Sequence, residues 1–415
     1  MNFGILNSAP SHWERRPLWT VVRRRDITGR PQAELLSVYR DHGVVPRSSR
    51  EDNFNKPSED LAAYRYVRPG DLVLNKMKTW QGSLGVSQYE GIVSPAYFVC
   101  EMSPDIDARY AHHLLRSEPY IHLYRAASKG IRPNQWDLPF DEFRQLPLLL
   151  PPLTEQRRIA RFLDEETAKL THIEDRSHRL TRLLEERKSA LASDCFTFDR
   201  SEDAPSVPLR RAVKRWIDYR GATPSKTDAG IPLVTAKNIR EGRVDLEASR
   251  EYIAADAYTD WMRRGLPEMN DVLLTTEAPL GQVAMVNDTS IALAQRVIVL
   301  RSELAICSPE WLYWYLRSPQ GQAELELRAT GSTALGIKAD RLRGVPIPLP
   351  ASSEAFRRLS QLSTSVTRVD SLQQQLIEQR TLIAERRRSL ITAAVTGQFD
   401  VTTASGRNVT EGVSV

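Results

Sequence analysis

The sequence predicts an α+β fold: two pseudo-symmetric mixed α/β globular domains joined by two long antiparallel coiled-coil helices. Three observations predict this class. The chain of 415 residues carries an internal repeat with a period near 200, a strand-to-helix junction that occurs twice, and two long segments with a heptad-like apolar pattern. A chain of this length accommodates two or three domains.

The repeat runs through most of the chain at a spacing of 199 to 201 residues. The matched pairs are Asp71 and Asp271, Leu115-Arg116-Ser117 and Leu316-Arg317-Ser318, Pro147 and Pro346, Ser189 and Ser389, and Phe198-Asp199 and Phe399-Asp400. Solenoid repeats are only about 20–50 residues long. The longer period therefore predicts a duplicated unit, in which a globular domain is followed by a helix.

Each globular half contains short apolar runs that follow turn residues, a pattern typical of strands. The predicted strands lie in GDLVLNK, GIVSPAYFVCEM, NDVLLTT and SIALAQRVIVLRS. One predicted helix per half begins after Asp107 and Ser308, and Pro309 takes the first helical position, which proline favours. We therefore expect each half to be a mixed domain of roughly 150 residues.

Two long segments follow the junctions LPLLLPPLTEQRRIARFLD (Leu146–Asp164) and VPIPLPASSEAFRRLSQLS (Val345–Ser363). From Thr154 to about Ala192 there is neither proline nor glycine. Apolar residues recur at alternating steps of four and three, as in coiled coils. The predicted seam consists of Leu163, Leu170, Ile173, Leu180 and Leu184 in the first helix and Leu362, Val366, Val369, Leu376 and Ile383 in the second.

A helix of about 38 residues is roughly 57 Å long, more than one compact domain needs. Pairing the two helices would bury both apolar stripes. The second globular domain lies between the helices in the sequence. If the helices were parallel, this domain and its connectors would have to carry the chain back by about one helix length. Antiparallel pairing avoids this. The alternative is that each helix packs on its own domain. The predicted boundaries are 1–152 for the first domain, 153–198 for the first helix, 199–351 for the second domain, 352–401 for the second helix and 402–415 for a flexible tail.

The composition is that of an ordinary globular protein, with 41% hydrophobic and 26% charged residues. No apolar run approaches the ~20 residues of a membrane span, and the N-terminus lacks the pattern of a secretory signal. Cys100, Cys195 and Cys307 are too scattered for a disulfide framework or a zinc site, which predicts a cytoplasmic protein. The net charge of +5 suits a polyanionic partner but also occurs in proteins that bind none.

Motifs of common catalytic and cofactor sites are missing from the sequence. It has no phosphate-binding P-loop, dinucleotide fingerprint, His-Glu-x-x-His pair, nucleophile elbow or amino-methyltransferase signature. His112 and His113 are adjacent, so their side chains would face apart on a helix, which disfavours a shared metal. We therefore predict that the chain is not an enzyme and that it has no catalytic residue and binds no metal or cofactor.

Polar and basic residues cluster in two segments of the first domain, NKMKTWQGSLGVS after a strand and RAASKGIRPNQW before the last strand. Lysine can neutralise phosphates, and asparagine and glutamine can recognise adenine edges. The candidate DNA-binding residues are Asn75, Lys76, Lys78, Thr79, Trp80, Gln81, Ser83, Ser128, Lys129 and Arg132. The alternative for the first segment is a strand with a solvated face and Trp80 packed inward.

The second domain has corresponding segments, RGATPSKTDAGIPLVTAKNIREG and ATGSTALGIK. Their glycines allow the backbone to approach a ligand closely. The candidate DNA-binding residues here are Arg220, Thr223, Ser225, Lys226, Lys237, Asn238, Thr330, Ser332, Thr333 and Lys338. Neither domain contains a recognisable helix-turn-helix or zinc-finger pattern, so DNA contact is one hypothesis and protein binding the other.

The arrangement resembles the specificity subunit of type I restriction–modification systems over nearly the whole chain. The most specific segments are LPLLLPPLTEQRRIARFLD and RRRSLITAAVTGQFDV (Arg386–Val401). Family members carry an apolar Pro-Pro-x-x-Glu-Gln start to the first long helix and an Ala-Val-Thr-Gly-x-x-Asp end to the second. VRPGDLVLNKMKTWQGSLGVS with GIVSPAYFV, and RGATPSK with IPLVTAKNI, resemble parts of the family's two recognition domains.

The resemblance implies a function. Each globular domain would be a target recognition domain that binds one half of a bipartite, non-palindromic sequence in double-stranded DNA. The helix pair would set the spacing and dock two methyltransferase subunits that methylate adenine. Those partners would bring S-adenosylmethionine, and motor–nuclease restriction subunits would bring ATP and magnesium. The alternative is a protein-binding scaffold with duplicated domains and no DNA sequence selectivity.

Two segments depart from the family pattern. Ala355 follows Glu354 where the family usually has glutamine, and the first helix ends in ASDCFTFD without the Val-Thr-Gly seen at Val395–Gly397. We expect the first departure to alter the start of the second helix or a partner contact on that side.

Overall fold

A computed structural model describes residues 9–50, 57–58, 60–130, 136–198, 204–219, 223–331 and 335–401. The chain divides into two compact units. Unit 1 comprises Met1–Ser177 with Ile377–Val415, and unit 2 comprises His178–Leu376. Each long helix therefore contributes one part to each unit. The boundaries predicted between globular domains and helices stay a prediction, and the predicted tail at 402–415 lies outside the described residues.

The first half of the chain alternates short strands with helices and ends in a long helix. Its elements are β1 (Glu14–Pro17), β2 (Val22–Arg24), β3 (Leu36–Tyr39), β4 (Gly43–Pro46), β5 (Arg65–Val67), β6 (Leu72–Asn75), β7 (Leu84–Val86), β8 (Gly91–Val93), β9 (Tyr97–Met102), α1 (Ala108–Leu115), α2 (Glu118–Ala127), α3 (Phe140–Arg144), β10 (Pro147–Leu150) and α4 (Leu153–Cys195).

The second half has a similar order of elements. They are β11 (Ser206–Pro208), α5 (Leu209–Ala212), β12 (Val213–Asp218), β13 (Ile231–Val234), β14 (Ile239–Arg240), β15 (Arg243–Val244), β16 (Tyr252–Ile253), α6 (Tyr258–Trp261), β17 (Val272–Thr276), β18 (Leu280–Met285), β19 (Ala292–Leu293), β20 (Val297–Ser302), α7 (Pro309–Arg317), α8 (Pro319–Arg328), α9 (Ala339–Arg343), β21 (Pro346–Pro348) and α10 (Ser352–Val395).

Unit 1 is built around an antiparallel sheet with the strand order β2-β9-β6-β7. Successive side chains of a strand point to opposite faces. Leu72 and Leu74 accordingly face a core shared with α1 and α2, whereas Val73 between them faces a second core with Val38 and Val99. The sheet is therefore buried on both faces, which explains why LVLN in β6 is continuously buried.

Unit 2 repeats this architecture. Its sheet has the order β12-β20-β17-β18. These strands correspond in turn to β2, β9, β6 and β7 of unit 1, so the two sheets have the same order. Val272 and Leu274 face the core that contains α7, and Leu273 faces the opposite core. Buried Asp71 and Asp271 occupy the same place before their strands, and they bind Arg25 and Arg301 respectively. The sequence repeat is thus also a repeat of topology.

Each stretch predicted as one helix is two helices, which corrects the prediction. The first stretch breaks between α1 and α2 at Ser117, and the second breaks between α7 and α8 at Ser318. Pro119 and Pro319 lie in the first turn of the following helices, where a missing backbone N–H is tolerated. The Ser318 hydroxyl also accepts a hydrogen bond from the Gly321 N–H at 3.1 Å.

The long helices α4 and α10 pair antiparallel within each unit. In unit 1 the Arg387 guanidinium lies 2.7 Å from the Glu174 carboxylate, and the rings of Phe162 and Phe399 meet edge to face. In unit 2 Lys188 lies 2.5 Å from Asp370, and farther along α4 the Cys195 carbonyl accepts from Arg358 at 3.1 Å. Rising numbers on α4 meet falling numbers on α10 in both units. The predicted fold class is confirmed.

The buried seam of this pair differs from the predicted one on α4. Leu163, Leu170, Leu362, Val366, Val369 and Ile383 are buried, and Leu184 and Leu376 are partly buried. Ile173 and Leu180, however, are 40% and 48% exposed, which corrects their assignment to a buried seam. The polar neighbours Glu174 and Thr181 are less exposed. Glu174 can occupy the interface because Arg387 lies opposite, a partner that the local pattern could not reveal.

Candidate nucleic-acid interface

The predicted segment Asn75–Ser83 is a tight turn that leaves the end of β6 and returns in β7. Asn75, Thr79, Trp80 and Ser83 are buried. The Thr79 hydroxyl donates to the Asn75 carbonyl at 2.8 Å, and the Trp80 indole donates to the Met77 carbonyl at 3.1 Å. These four residues therefore build the turn instead of presenting polar groups from it. The inward packing of Trp80, considered as the alternative, is the arrangement observed.

Three members of this segment remain accessible. Lys78 is exposed and Gln81 is partly exposed. Lys76 is also partly exposed, but its ammonium lies 2.6 Å from the Asp137 carboxylate. Exposed ion pairs contribute roughly 0–1 kcal/mol, so Lys76 could exchange Asp137 for a phosphate at little cost.

The structure brings the second predicted segment of unit 1 against the first. The Leu138 N–H donates to the Lys76 carbonyl at 3.2 Å, and the rings of Trp80 and Trp136 lie 5.0 Å apart. Lys129 is exposed and lies 2.7 Å from Glu142. The Ser128 hydroxyl instead donates to the carbonyl of Tyr124, one turn back in α2. Arg132 lies outside the described residues.

Unit 2 has an equivalent juxtaposition at the end of β17. The Ile337 N–H donates to the Thr276 carbonyl at 3.0 Å, and Glu277 forms a β-bridge with Gly336. The predicted residues Thr330 and Lys338 are exposed on either side of this contact. Ser332 and Thr333, predicted between them, lie outside the described residues.

The other unit 2 candidates lie between β12 and β14. Asn238 is fully buried, and its amide binds the Thr235 hydroxyl at 2.8 Å and the carbonyls of Asp245 and Ser249 at 2.9 Å. It therefore organises a turn, which corrects its assignment to DNA contact. Lys226 lies 2.7 Å from Glu251. Thr223, Ser225 and Lys237 are exposed, and Arg220 lies outside the described residues.

Ser225 borders a cavity of about 330 Å³ in unit 2. Tyr219 and Trp261 stack in its wall with ring centroids 5.8 Å apart, and Asp260, Arg263 and Arg264 also line it. Burial raises the pKa of the Tyr219 phenol, whose hydroxyl donates to the Gly265 carbonyl at 2.7 Å. The cavity offers aromatic surface and charges of both signs, but both rings already use their polar atoms within the protein.

Sequence reasoning missed the arginines of VVRRRD, which lie on β2 beside the start of β6, at the opposite end of that strand from Asn75. Arg24 lies over the Phe98 ring at 4.9 Å and 2.8 Å from the Asp26 carboxylate. Arg23 is exposed on the same strand. Three consecutive arginines before a turn were the available signal. The register nevertheless places Arg24 level with Leu72, at the start of β6, and so away from the predicted DNA-binding turn, which leaves β6 at Asn75.

The described residues give no indication of a metal centre. Among them, no group of three or more His, Cys, Asp or Glu side chains is placed to hold an ion. His112 and His113 face different partners: His112 lies 2.6 Å from Arg116, and His113 lies 2.8 Å from Asp164. Cys100, Cys195 and Cys307 are buried free thiols. In the part of the chain that is described, no helix is long and apolar enough to cross a membrane.

The geometry defines a class of protein: duplicated α+β units with the same sheet order, connected by two long antiparallel helices. Two curated relatives are similar to this chain. The type I restriction enzyme EcoBI specificity subunit of Escherichia coli is 23% identical over 360 residues, covering 80% of this chain and 74% of the relative. The putative type I restriction enzyme MjaX specificity subunit of Methanocaldococcus jannaschii is 20% identical over 434 residues, covering 96% of both chains.

Solved structures share the fold. A chain from a study of complex assembly and conformational transition of the type I R-M system matches with a TM-score of 0.69 at 17% identity, covering 94% of this chain and 99% of that one. The HsdS subunit of Thermoanaerobacter tengcongensis matches with a TM-score of 0.51 at 18% identity, covering 94% and 98%. No family model matches the chain. The predicted resemblance to type I restriction specificity subunits is confirmed.

Proposed function

We propose that this protein is the non-catalytic DNA-recognition subunit of a type I restriction–modification complex. Each unit would bind one half of a bipartite, non-palindromic target in double-stranded DNA. The observation that carries the proposal is the duplication itself: the same sheet order occurs in two units of different sequence. Two similar domains with different side chains are suited to two different half-sites.

Exposed cations in the predicted segments of both units support contact with DNA. Lys78 and Lys129 in unit 1, and Lys237 and Lys338 in unit 2, are exposed on or beside the predicted segments. Each lysine that neutralises a phosphate releases condensed counterions, which favours binding. Gln81 in unit 1 is the accessible amide that could recognise a base edge.

The long helices supply the second part of the proposal. Their antiparallel pairing in each unit would set the distance between the half-sites, as dimer geometry sets half-site spacing in other DNA-binding proteins. Exposed apolar residues on α4, such as Leu180 and Leu183, suit docking of methyltransferase subunits. Those partners would bind S-adenosylmethionine and methylate adenine, and restriction subunits, where present, would use ATP and magnesium.

The decisive experiment compares adenine methylation across the genome with and without this gene, in the presence of its methyltransferase. A single bipartite motif that disappears with the gene is the expected result. Unchanged methylation, with no sequence-selective protection of DNA by the reconstituted complex, would leave the protein-binding scaffold as the explanation.

Two variants test the parts of the proposal separately. Deleting one heptad from both helices should shorten the accepted spacer and leave both half-sites unchanged. Exchanging residues 1–150 for the corresponding domain of a relative should change one half-site only. Changes in both half-sites would show that the units do not act as independent modules.

A further inference from the structure

A short hairpin occupies the same place in both units. In unit 1 it joins β3 to β4 through Arg40, Asp41 and His42, and in unit 2 it joins β14 to β15 through Glu241 and Gly242. Arg40 and Arg240, and likewise Asp41 and Glu241, are 200 residues apart, so the tips also match in sequence. The hairpins adjoin β7 and β18, and in unit 1 β7 is the strand that follows the predicted DNA-binding turn. A Cβ added to Gly82 in the unit 1 turn would lie 4.0 Å from Arg40.

Side chains of the neighbouring helix α7 hold the hairpin tip of unit 2 through a hydrogen bond to its backbone. The Tyr313 hydroxyl donates to the Gly242 carbonyl at 2.9 Å, and Arg317 donates to the Tyr313 hydroxyl at 2.5 Å. Gly242 has a φ of +84°, and an added Cβ would lie 2.4 Å from the Arg317 guanidinium carbon. The left-handed backbone at this position of the two-residue turn favours glycine, and a larger residue would displace the Arg317 and Tyr313 side chains from the tip.

Unit 1 holds its tip with the residues that the repeat places in the same positions. Arg116 donates to the Arg40 carbonyl at 2.6 Å and contacts the His112 ring nitrogen at 2.6 Å. Burial lowers the pKa of Arg116 to about 10. Arg116 is partly buried, and its guanidinium holds one backbone carbonyl of the tip. Both units, although they differ in sequence, hold the hairpin tip through side chains of the neighbouring helix. This indicates that the position of the tip is functionally important.

The charges of the unit 2 tip are unfavourable in the protein alone. Arg240 and Arg243 lie directly opposite each other across the hairpin. Like charges in this position destabilise an antiparallel pair. Glu241, 3.8 Å from Arg243, offsets only part of the repulsion, and Lys237 adds a further exposed cation nearby. Glu241 also has a φ of +52°, a conformation that few residues other than glycine adopt.

From these observations we infer that the hairpin tips bind the DNA sugar–phosphate backbone, with Arg240 and Arg243 in unit 2 and Arg40 in unit 1 as the phosphate contacts. Tyr313, Arg317 and Arg116 are positioning residues that hold the tips. A phosphate between Arg240 and Arg243 would relieve their repulsion. Arg40 lies 3.5 Å from Asp41, but both side chains are at least 68% exposed, so this pair exchanges readily for a phosphate. The inference rests on the proposed DNA-recognition function.

The test uses the complete complex reconstituted with its methyltransferase subunits and a duplex that carries the methylated motif. Affinity is measured as a function of salt concentration for the wild type and for the Arg240→Ala/Arg243→Ala variant. Each lost phosphate contact should reduce the salt slope by about one and the affinity roughly 5- to 10-fold near 0.1 M salt. The matched control is Arg210→Ala, an exposed arginine in α5 that precedes the opposite edge strand of the same sheet.

Thermal stability separates phosphate contact from a structural role. The double variant should unfold at the wild-type temperature or above it, because it removes a repulsion. Tyr313→Phe deletes the hydrogen bond to Gly242 but no charge, so it should weaken DNA binding with an unchanged salt slope. Unaltered affinity in this variant would overturn the positioning role.

The outcomes distinguish the inference from the function on which it rests. If the wild-type complex binds the motif selectively but the double variant keeps the wild-type affinity and salt slope, the hairpin inference fails and the proposed function stands. If the wild-type complex shows no selective binding, both fail.

Discussion

Glu174 on α4 and Arg387 on α10 form an ion pair at 2.7 Å in the interface of the long helices of unit 1. Both side chains are largely covered, with 22% and 30% exposed. Arg387 also donates to the Thr171 hydroxyl at 3.1 Å. Polar residues inside a helix interface can specify one register, because a shifted pairing leaves them without partners. We therefore expect this pair to keep α4 and α10 aligned.

Replacing Arg387 with alanine should lower the free energy of unfolding by about 1–2 kcal/mol, because Glu174 loses its charged partner in a partly covered site. Arg388→Ala, at the exposed neighbouring position, is the matched control and should have little effect. Denaturant unfolding measures both. The charge-exchanged Glu174→Arg/Arg387→Glu variant should recover part of the loss, and a variant as unstable as the sum of its two single changes would argue against a direct pair.

Two leucines of α4 should respond differently to aspartate. Leu163 is fully buried, so Leu163→Asp places a carboxylate in an apolar core and should cost at least about 3 kcal/mol of stability. Leu180 is 48% exposed, and Leu180→Asp should change the stability of the isolated chain by less than about 1 kcal/mol. Thermal unfolding of the two variants decides the matter, and similar losses would place Leu180 in the seam after all.

His112 should make the stability of the chain depend on pH. Burial and the neighbouring Arg116 charge lower its pKa from the ordinary 6.5 to about 3. Between these values the unfolded chain binds a proton that the folded chain does not, so stability is fully present above pH 6.5 and falls as the pH drops toward 3. The slope from this group approaches about 1.4 kcal/mol per pH unit. His112→Gln should remove this contribution, and His122→Gln, at an exposed position, is the matched control.

Lys78 and Gln81 should have separable effects on DNA binding by the complete complex. Lys78→Ala removes an exposed cation and should weaken binding to all sequences, with a salt slope smaller by about one. Gln81→Ala should instead relax discrimination at one base pair, by about 1–3 kcal/mol if the amide binds a base edge. Equilibrium binding to the cognate duplex and to single-base variants measures both effects. Wild-type discrimination in Gln81→Ala would leave this residue as part of a solvated turn.

Gln156 should stabilise the start of α4 more than Ala355, at the matching position, stabilises the start of α10. Its buried amide accepts from the Asp107 N–H at 2.8 Å and donates to the carbonyls of Asp105 and Pro151. Ala355 occupies the matching place in α10, where Arg358 instead donates to carbonyls at the end of α4. We expect Gln156→Ala to cost about 2–3 kcal/mol in denaturant unfolding. Ala355→Gln should give no comparable gain, since Arg358 already organises that junction.

The sequence by itself determined the features that depend on local pattern. Residue spacing revealed the duplication, the two long helices and the strands around Asp71 and Asp271, because periodicity and turn residues act over a few positions. Only the tertiary structure decided which polar residues serve the fold and which remain accessible. Asn75 and Asn238 are buried in turns, while Lys78 and the hairpin arginines are exposed, although all belong to similar polar runs. Likewise Glu174 lies in the helix interface and Leu180 does not, because the partner that makes a carboxylate acceptable there, Arg387, is 213 residues away in the chain.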